Sequence, residues 1–384
     1  MISRQTKILS VAFLLIFFGF NGVQQYVTPF FSEAEMVSVG FYSLIIIYLS
    51  FTLSGQISAV FVSKYGAKKC MPTGAIFYSL FIISLLSGSA ILIYFASALL
   101  GIAAALLWTG QGSYLIRVSD EKSYGANAGF FSSLQSLGSA LGVLFLGVLV
   151  AALYFKLSFL LFSIFPVLGF LLMFKLKNVK VEKQPNNFAL IKKSLTSKTA
   201  LRISILYFSF YFIFGLVIGI VPLEIKKLIG VSYIGFFSSL FYIMPIIFSF
   251  IFGKISDVKE RKFMVILAYV ICIIGLILLY LSGGKILLIS GIILLAINFS
   301  IIWPSTMALI GDVSTKANLE FLTALFGMAS NIAVVSSLVI SSLFLTKTIY
   351  LISLFVMGIS FIVLLPILKL KIEKLKELIS QEIS

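Results

Sequence analysis

Carboxamides and aromatic rings set inside long apolar runs are the residues of this 384-residue chain whose types and spacing could do chemistry. Asn21, Gln24, Gln25 and Thr28 follow one another at i, i+3, i+4 and i+7, one face of a helix. In the segment "WTGQG", Trp108 and Gln111 share a face with Gly112 beside them, and further on Asn127, Phe131, Gln135, Gly138 and Gly142 form another line. Tyr207, Tyr211 and Gly215, then Asn298, Trp303 and Ser305, and finally Asn331, mark later apolar runs. Amides, hydroxyls and indoles bind uncharged or amphipathic groups by hydrogen bonds and stacking. The competing role of each is interhelical glue, worth about 0.6 to 2 kcal/mol per contact. Three amides on one stripe exceed what one packing contact needs, so Asn21, Gln24 and Gln25 read as binding residues. Gln135 and Asn331 read as packing. Trp108 and Trp303 stay open between a shared ligand and shared architecture. Gly138 and Gly142, a small-xxx-small pair, read as a close helix contact.

Other chemistries fail on residue type. "GQG" lacks the spacing and lysine of a phosphate loop. The chain has no histidine, and its two cysteines, Cys70 and Cys272, stand far apart, so neither a Ser-His-Asp arrangement nor a zinc site can be assembled. No enzyme and no cofactor is expected. All thirteen acids fall near the ends of apolar runs or between them, which argues against a proton relay at mid-membrane. Glu224 and Asp312 remain as coupling acids, with a helix-end or gate contact the preferred role for both. An uncharged lining also argues against strongly anionic ligands, which need an arginine or lysine clamp. Arg117 lies too near a run's end for that and reads as the partner of a neighbouring acid.

The elements that must position these residues are membrane spans. The chain is 60% hydrophobic and 11% charged, with a mean hydropathy of +1.15. Apolar runs long enough to cross a bilayer as helices are expected near 8–29, 37–62, 71–88, 91–116, 124–152, 155–174, 203–223, 232–253, 263–282, 285–310, 318–345 and 348–368. With twelve spans both termini share a side, and 24 of the 29 Lys and Arg fall in loops on that side. The positive-inside rule makes it the cytoplasm. The net charge of +16 therefore reports topology and contact with anionic headgroups, not nucleic acid.

The polar, basic stretch 175–202 separates six spans from six, giving an N-terminal bundle over 1–174, a cytoplasmic linker over 175–202 and a C-terminal bundle with a short basic tail over 203–384. The halves echo each other. Ser63 lies opposite Asp257 and Lys68 opposite Lys262 at an offset of 194, while the chain's two tryptophans, Trp108 and Trp303, lie at 195. At that same offset "RVSD" (117–120) matches "DVST" (312–315), the pattern of a parallel duplication.

With these features the sequence resembles the major facilitator superfamily. "GKISDVKERK" follows the G-x-x-x-D-R/K-x-G-R-R/K loop of that family, keeping Gly253, Asp257, Arg261 and Lys262, with Glu260 at the second glycine. "FVSKYGAKK" keeps Lys64, Gly66 and Lys68, with Ser63 in place of the acid and Ala67 in place of an arginine. "LLGIAAALLWTGQGSYL" (99–115) and "FNGVQQ" (20–25) resemble the fourth and first helices of the Unc-ninety-three-like branch. The resemblance implies an all-α membrane protein of two pseudo-symmetric six-helix bundles, whose first, fourth, seventh and tenth helices line a central cavity. Asn21, Gln24, Gln25, Trp108, Gln111, Tyr207, Tyr211, Asn298 and Trp303 would line it. Lys64, Gly66, Lys68, Asp257, Arg261 and Lys262 would work the cytoplasmic gate loops. The function expected is transport of a small neutral or amphipathic solute by alternating access, in a monomer of the plasma membrane. The alternative, which some relatives in that branch imply, is a non-transporting regulatory or trafficking partner of another membrane protein.

Overall fold

A computed structural model describes residues 2–33, 36–179, 187–229 and 234–383. Among these every extended element is a helix. Eleven are long and apolar enough to cross a membrane by length and composition. In chain order the first half holds α1 (Arg4–Glu33), α2 (Val37–Tyr65), α3 (Ala67–Leu85), α4 (Ala90–Arg117), α5 (Tyr124–Phe162) and α6 (Ile164–Met173). The short α7 (Asn187–Thr196) follows. The second half holds α8 (Lys198–Gly219), α9 (Val221–Leu228), α10 (Ile234–Val258), α11 (Arg261–Tyr280), α12 (Lys285–Val313), α13 (Leu319–Leu343) and α14 (Thr346–Leu368), and α15 (Ile372–Ile383) closes the chain.

The expected span 71–88 is α3, which begins at Ala67 with Lys68 and Lys69 in its first turn and is not among the eleven. The expected fifth and sixth spans are one run of helix broken at Tyr154, where a φ of 58° turns the chain back. Between α2 and α3 one residue suffices: Gly66, at φ 86°, donates its N–H to the Val62 carbonyl and starts the next helix at once. A side chain at that φ would be strained, which gives the glycine of the first gate loop a structural reason.

Two large hydrophobic cores result, one from residues 9–176 and one mainly from residues 200–383, with a small third cluster of Ala59, Phe321 and Ala324 where the halves meet. They meet along two helix pairs that are equivalent under the repeat, α5 against α10 and α2 against α13. In the first pair small residues bring backbones together: an added Cβ on Gly129 would lie 2.9 Å from Phe250 Cα, and one on Gly253 would lie 3.1 Å from Gly129 Cα. Ser132 donates to Ser249 across the same seam at 3.2 Å. In the second, Gln56 donates to the Phe321 carbonyl at 3.2 Å. Gly138 and Gly142 do what their spacing predicts, seating α5 against the α1 backbone at Leu14 and Phe18.

Candidate substrate cavity and gates

Between the halves lies a cavity of about 170 Å³. Its first-half wall carries Asn21 and Gln24 from α1, Tyr48 from α2, Tyr78 from α3, Trp108 and Gln111 from α4, and Gln135 from α5. The second half supplies Tyr207, Tyr211 and Phe214 from α8, Trp303 from α12, and Phe326 and Asn331 from α13. No Asp, Glu, Lys, Arg or His lines it among the described residues.

The two tryptophans meet between the halves, ring centroids 6.0 Å apart and planes inclined at 67°. Each is held by aromatics of its own half. Phe13 and Phe17 lie 5.3 and 5.2 Å from Trp108, and Tyr211 lies 5.7 Å from Trp303. Tyr207 stacks on Phe326 at 4.6 Å and spends its hydroxyl on the Thr306 carbonyl at 2.6 Å, so it offers the cavity only a ring.

The polar side chains divide by whether they already have partners. Asn21 donates to Ser139 Oγ at 2.8 Å, Gln24 to the Tyr48 hydroxyl at 3.3 Å, and Asn331 to the Gly327 carbonyl of its own helix at 2.9 Å. Among the described residues Gln111, 1% exposed, has no partner for either Nε2 or Oε1, and the Trp303 indole N–H has none.

Seven of the nine lining residues named from the sequence therefore stand on the cavity wall. Gln25 does not: it donates to the Tyr242 hydroxyl at 3.2 Å, joining α1 to α10 across the halves. Asn298 is also away from the wall. It is fully buried and donates to the Ala268 carbonyl of α11 at 2.6 Å, as interhelical glue. The Thr28 side chain lies outside the described residues. Conversely, Gln135 and Asn331, read from the sequence as packing residues, reach the wall. They sit on α5 and α13, equivalent elements at nearly the repeat offset, so the duplication register was the signal that could have found them.

The face carrying both termini is closed by charge. Arg117 on α4 reaches across to Glu320 in the first turn of α13, Nη2 to Oε1 at 2.8 Å and Nε to Oε1 at 3.1 Å, and also donates to the Lys316 carbonyl at 3.0 Å. Asp257 accepts from the backbone N–H groups of Gly125 and Ala126 at 2.8 and 2.7 Å, capping α5 from the other half. Arg261 holds that carboxylate in place at 3.1 Å while also binding Asp312 at 2.7 Å and Ser256 at 2.6 Å. Lys262 pairs with Glu260 at the surface. In the first loop Ser63 turns back on the Val60 carbonyl, and Lys64 and Lys68 make no ion pair among the described residues. Glu320 thus brings to the first-half gate the acid that Ser63 does not.

The comparisons agree with this architecture. The family model described as ion channel regulatory protein UNC-93 matches residues 35–217, and that of the major facilitator superfamily matches 203–382. UNC93-like protein 3 of Arabidopsis thaliana is 31% identical over 141 residues, 37% of this chain and 28% of that protein. UNC93-like protein MFSD11 of Xenopus tropicalis is 33% identical over 142 residues, 36% of this chain and 32% of its own length. The chain thus aligns with about a third of the curated relatives it matches. Among solved structures, the human organic anion transporter MFSD10 has a TM-score of 0.75 at 13% identity, covering 94% of this chain and 99% of that one. The proton:xylose symporter XylE scores 0.75 at 12%, covering 97% and 98%. Such low identity shows the fold alone. The chain is a multi-pass membrane protein whose first half is similar to the UNC-93-like proteins and whose second half is similar to the major facilitator superfamily.

Proposed function

We propose that this protein is a carrier that moves a small neutral or amphipathic solute by alternating access around the central cavity. One observation carries the reading: a cavity walled by both halves, rich in amides and aromatic rings and without Asp, Glu, Lys, Arg or His, lies beside charged contacts that bridge the halves at the termini face and a Gln25–Tyr242 hydrogen bond that bridges them farther from it. Rocking of the bundles would break one set of bridges and form the other around a fixed site. Anionic solutes, the class named for MFSD10, fit poorly here because no lining cation would offset their desolvation. On this reading the termini face is cytoplasmic, the membrane is the plasma membrane, 1–174 and 203–384 move as units, and 175–202 links them. The basic loops of that face would lie against anionic headgroups. Replacing Gln24 and Gln111 together by Leu abolishes solute flux in proteoliposomes while membrane insertion stays normal; undiminished flux would sink the site assignment.

A second reading, a non-transporting regulatory partner of another membrane protein, is favoured by the description of the family model that matches residues 35–217. It predicts stable copurification with such a partner and no flux of any solute tested.

A further inference from the structure

The halves are built by duplication, so a polar residue whose repeat-related position is internally satisfied, while it is not, marks where the two have diverged. Gln111 is such a residue. Trp108 corresponds to Trp303, and by that offset Gln111 corresponds to Thr306. Thr306 needs nothing from a ligand: its hydroxyl donates to the Ile302 carbonyl at 2.9 Å, and its own carbonyl accepts from Tyr207 at 2.6 Å. Gln111 lies on the cavity wall with its donor and its acceptor both unpartnered. Leaving a buried polar group unpaired costs about 1–3 kcal/mol each, and an apolar residue of similar size would avoid that. The Trp303 indole N–H, from the opposite half, is the third unpartnered polar group on the same wall.

We propose that the cavity takes a planar, uncharged heterocycle of the lactam or ureide type, recognised by a two-point hydrogen bond to the Gln111 carboxamide. A ring N–H beside a ring carbonyl is the complement of that amide. The N–H donates to Oε1, and the carbonyl accepts from Nε2. A second carbonyl accepts from the Trp303 N–H. Flat faces suit the walls, where Phe17, Tyr78, Trp108, Tyr211 and Trp303 present rings rather than flexible aliphatic chains. Size agrees as well: at roughly 10–15 Å³ per water-sized group, 170 Å³ holds on the order of a dozen such groups, enough for one or two fused rings. Charge adds a constraint, since a wall without Asp, Glu, Lys, Arg or His gives no counterion to a charged solute.

This proposal rests on the carrier reading for its location, but its test is binding and not flux. Binding of uracil to the purified full chain is measured by calorimetry beside 1,3-dimethyluracil, which keeps the ring and both carbonyls and loses both N–H groups. The expected result is uracil binding at least about ten-fold tighter than the dimethyl compound, the effect of one buried acceptor left unpaired. Gln111→Leu abolishes that preference. Gln111→Glu, which keeps the acceptor and exchanges the donor for charge, serves as a second variant should the leucine protein not fold. It weakens uracil binding as the pH rises and the carboxylate forms. Equal affinity for the two compounds, no binding of either, or a uracil preference that survives both variants overturns the proposal. Flux of some other neutral solute without uracil binding overturns this ligand class and leaves the carrier reading standing. Uracil binding through Gln111 with no flux of any solute supports the ligand class and removes the carrier reading.

Discussion

Gln111 and Asn298 are both carboxamides buried within long apolar helices, and they differ in where their hydrogen bonds go. The Asn298 amide N–H is committed to the Ala268 carbonyl of α11, which ties α12 to its neighbour inside one half. Replacing Asn298 by Ala removes one interhelical bond that averages about 0.6 kcal/mol in membranes, so a small fall in Tm in detergent is expected, with flux per inserted molecule unchanged. A flux defect at normal stability would return Asn298 to the binding site. Sequence spacing marked both residues as costly and therefore purposeful. It did not separate them, because which neighbour a helical residue faces depends on the rotation of that helix within the bundle. The N-terminal stripe shows the same limit: Asn21 and Gln24 face the cavity while Gln25, next along the chain, turns to Tyr242.

At the scale of elements, the seam of α5 and α10 depends on side chains that are absent. A methyl on Gly253 would lie 3.0 Å from the Gly125 carbonyl carbon, backbone that cannot rotate away. Gly253→Ala should therefore cost about 1–3 kcal/mol of overpacking. Gly358→Ala meets nothing within 4 Å and should be neutral or mildly stabilising through helix propensity. Thermal unfolding of the two variants side by side checks the order, and equal Tm values would mean that the seam can yield. The amphipathic α7 and α15 were not legible where hydropathy alone was followed; 175–202 and the tail read as basic connections. The period was nonetheless there, with Leu375, Ile379 and Ile383 buried at i, i+4 and i+8. Near its end Glu382 accepts hydrogen bonds from Ser197 Oγ and from the N–H and hydroxyl of Thr199, fixing α15 to the start of α8. Partial desolvation pushes the Glu382 carboxyl up, but these hydrogen bonds outweigh it and hold the group below its usual range. A depressed folded value means that the clasp contributes fully above the unfolded value of about 4.3 and is lost as the pH falls through the lower folded one. Hydrogen exchange in α15, corrected for intrinsic rate, should rise as the medium is acidified below about pH 4. Glu382→Gln should show raised exchange at pH 7 with little further change on acidification.

For the molecule as a whole, the span count, the duplication and the charge-bearing loops were readable because hydrocarbon punishes polarity uniformly and leaves long, countable runs. What remained hidden was how the gate had been rebuilt. Ser63 stands where the family's first loop has its acid, and Arg117 and Glu320, 203 residues apart, supply a charge pair through contacts that exist only after the halves pack. If the halves rock, the bridges at the termini face and the Gln25–Tyr242 bond farther from it bias one equilibrium in opposite directions. Asp257→Ala removes the cap on α5 and leaves Arg261 with Asp312 and Ser256 of its own half, so it should favour the state open at the termini face. A lost helix cap is worth about 0.5–2 kcal/mol, a shift of about 2- to 30-fold in the ratio of states. Tyr242→Phe removes the partner of Gln25 and should shift the ratio the other way, by less, since one neutral hydrogen bond is worth about 1 kcal/mol or below. Thr109 lines the cavity, and its hydroxyl contacts only Ser58 of its own half, so Thr109→Cys reports access with little effect on the gates. In oriented vesicles its labelling by a membrane-impermeant thiol reagent should rise from the termini face with Asp257→Ala and from the opposite face with Tyr242→Phe. The double variant should fall between the two. Changes of the same sign from both variants would mean that these bridges act independently, and a rigid rocking motion could not then be the means of transport.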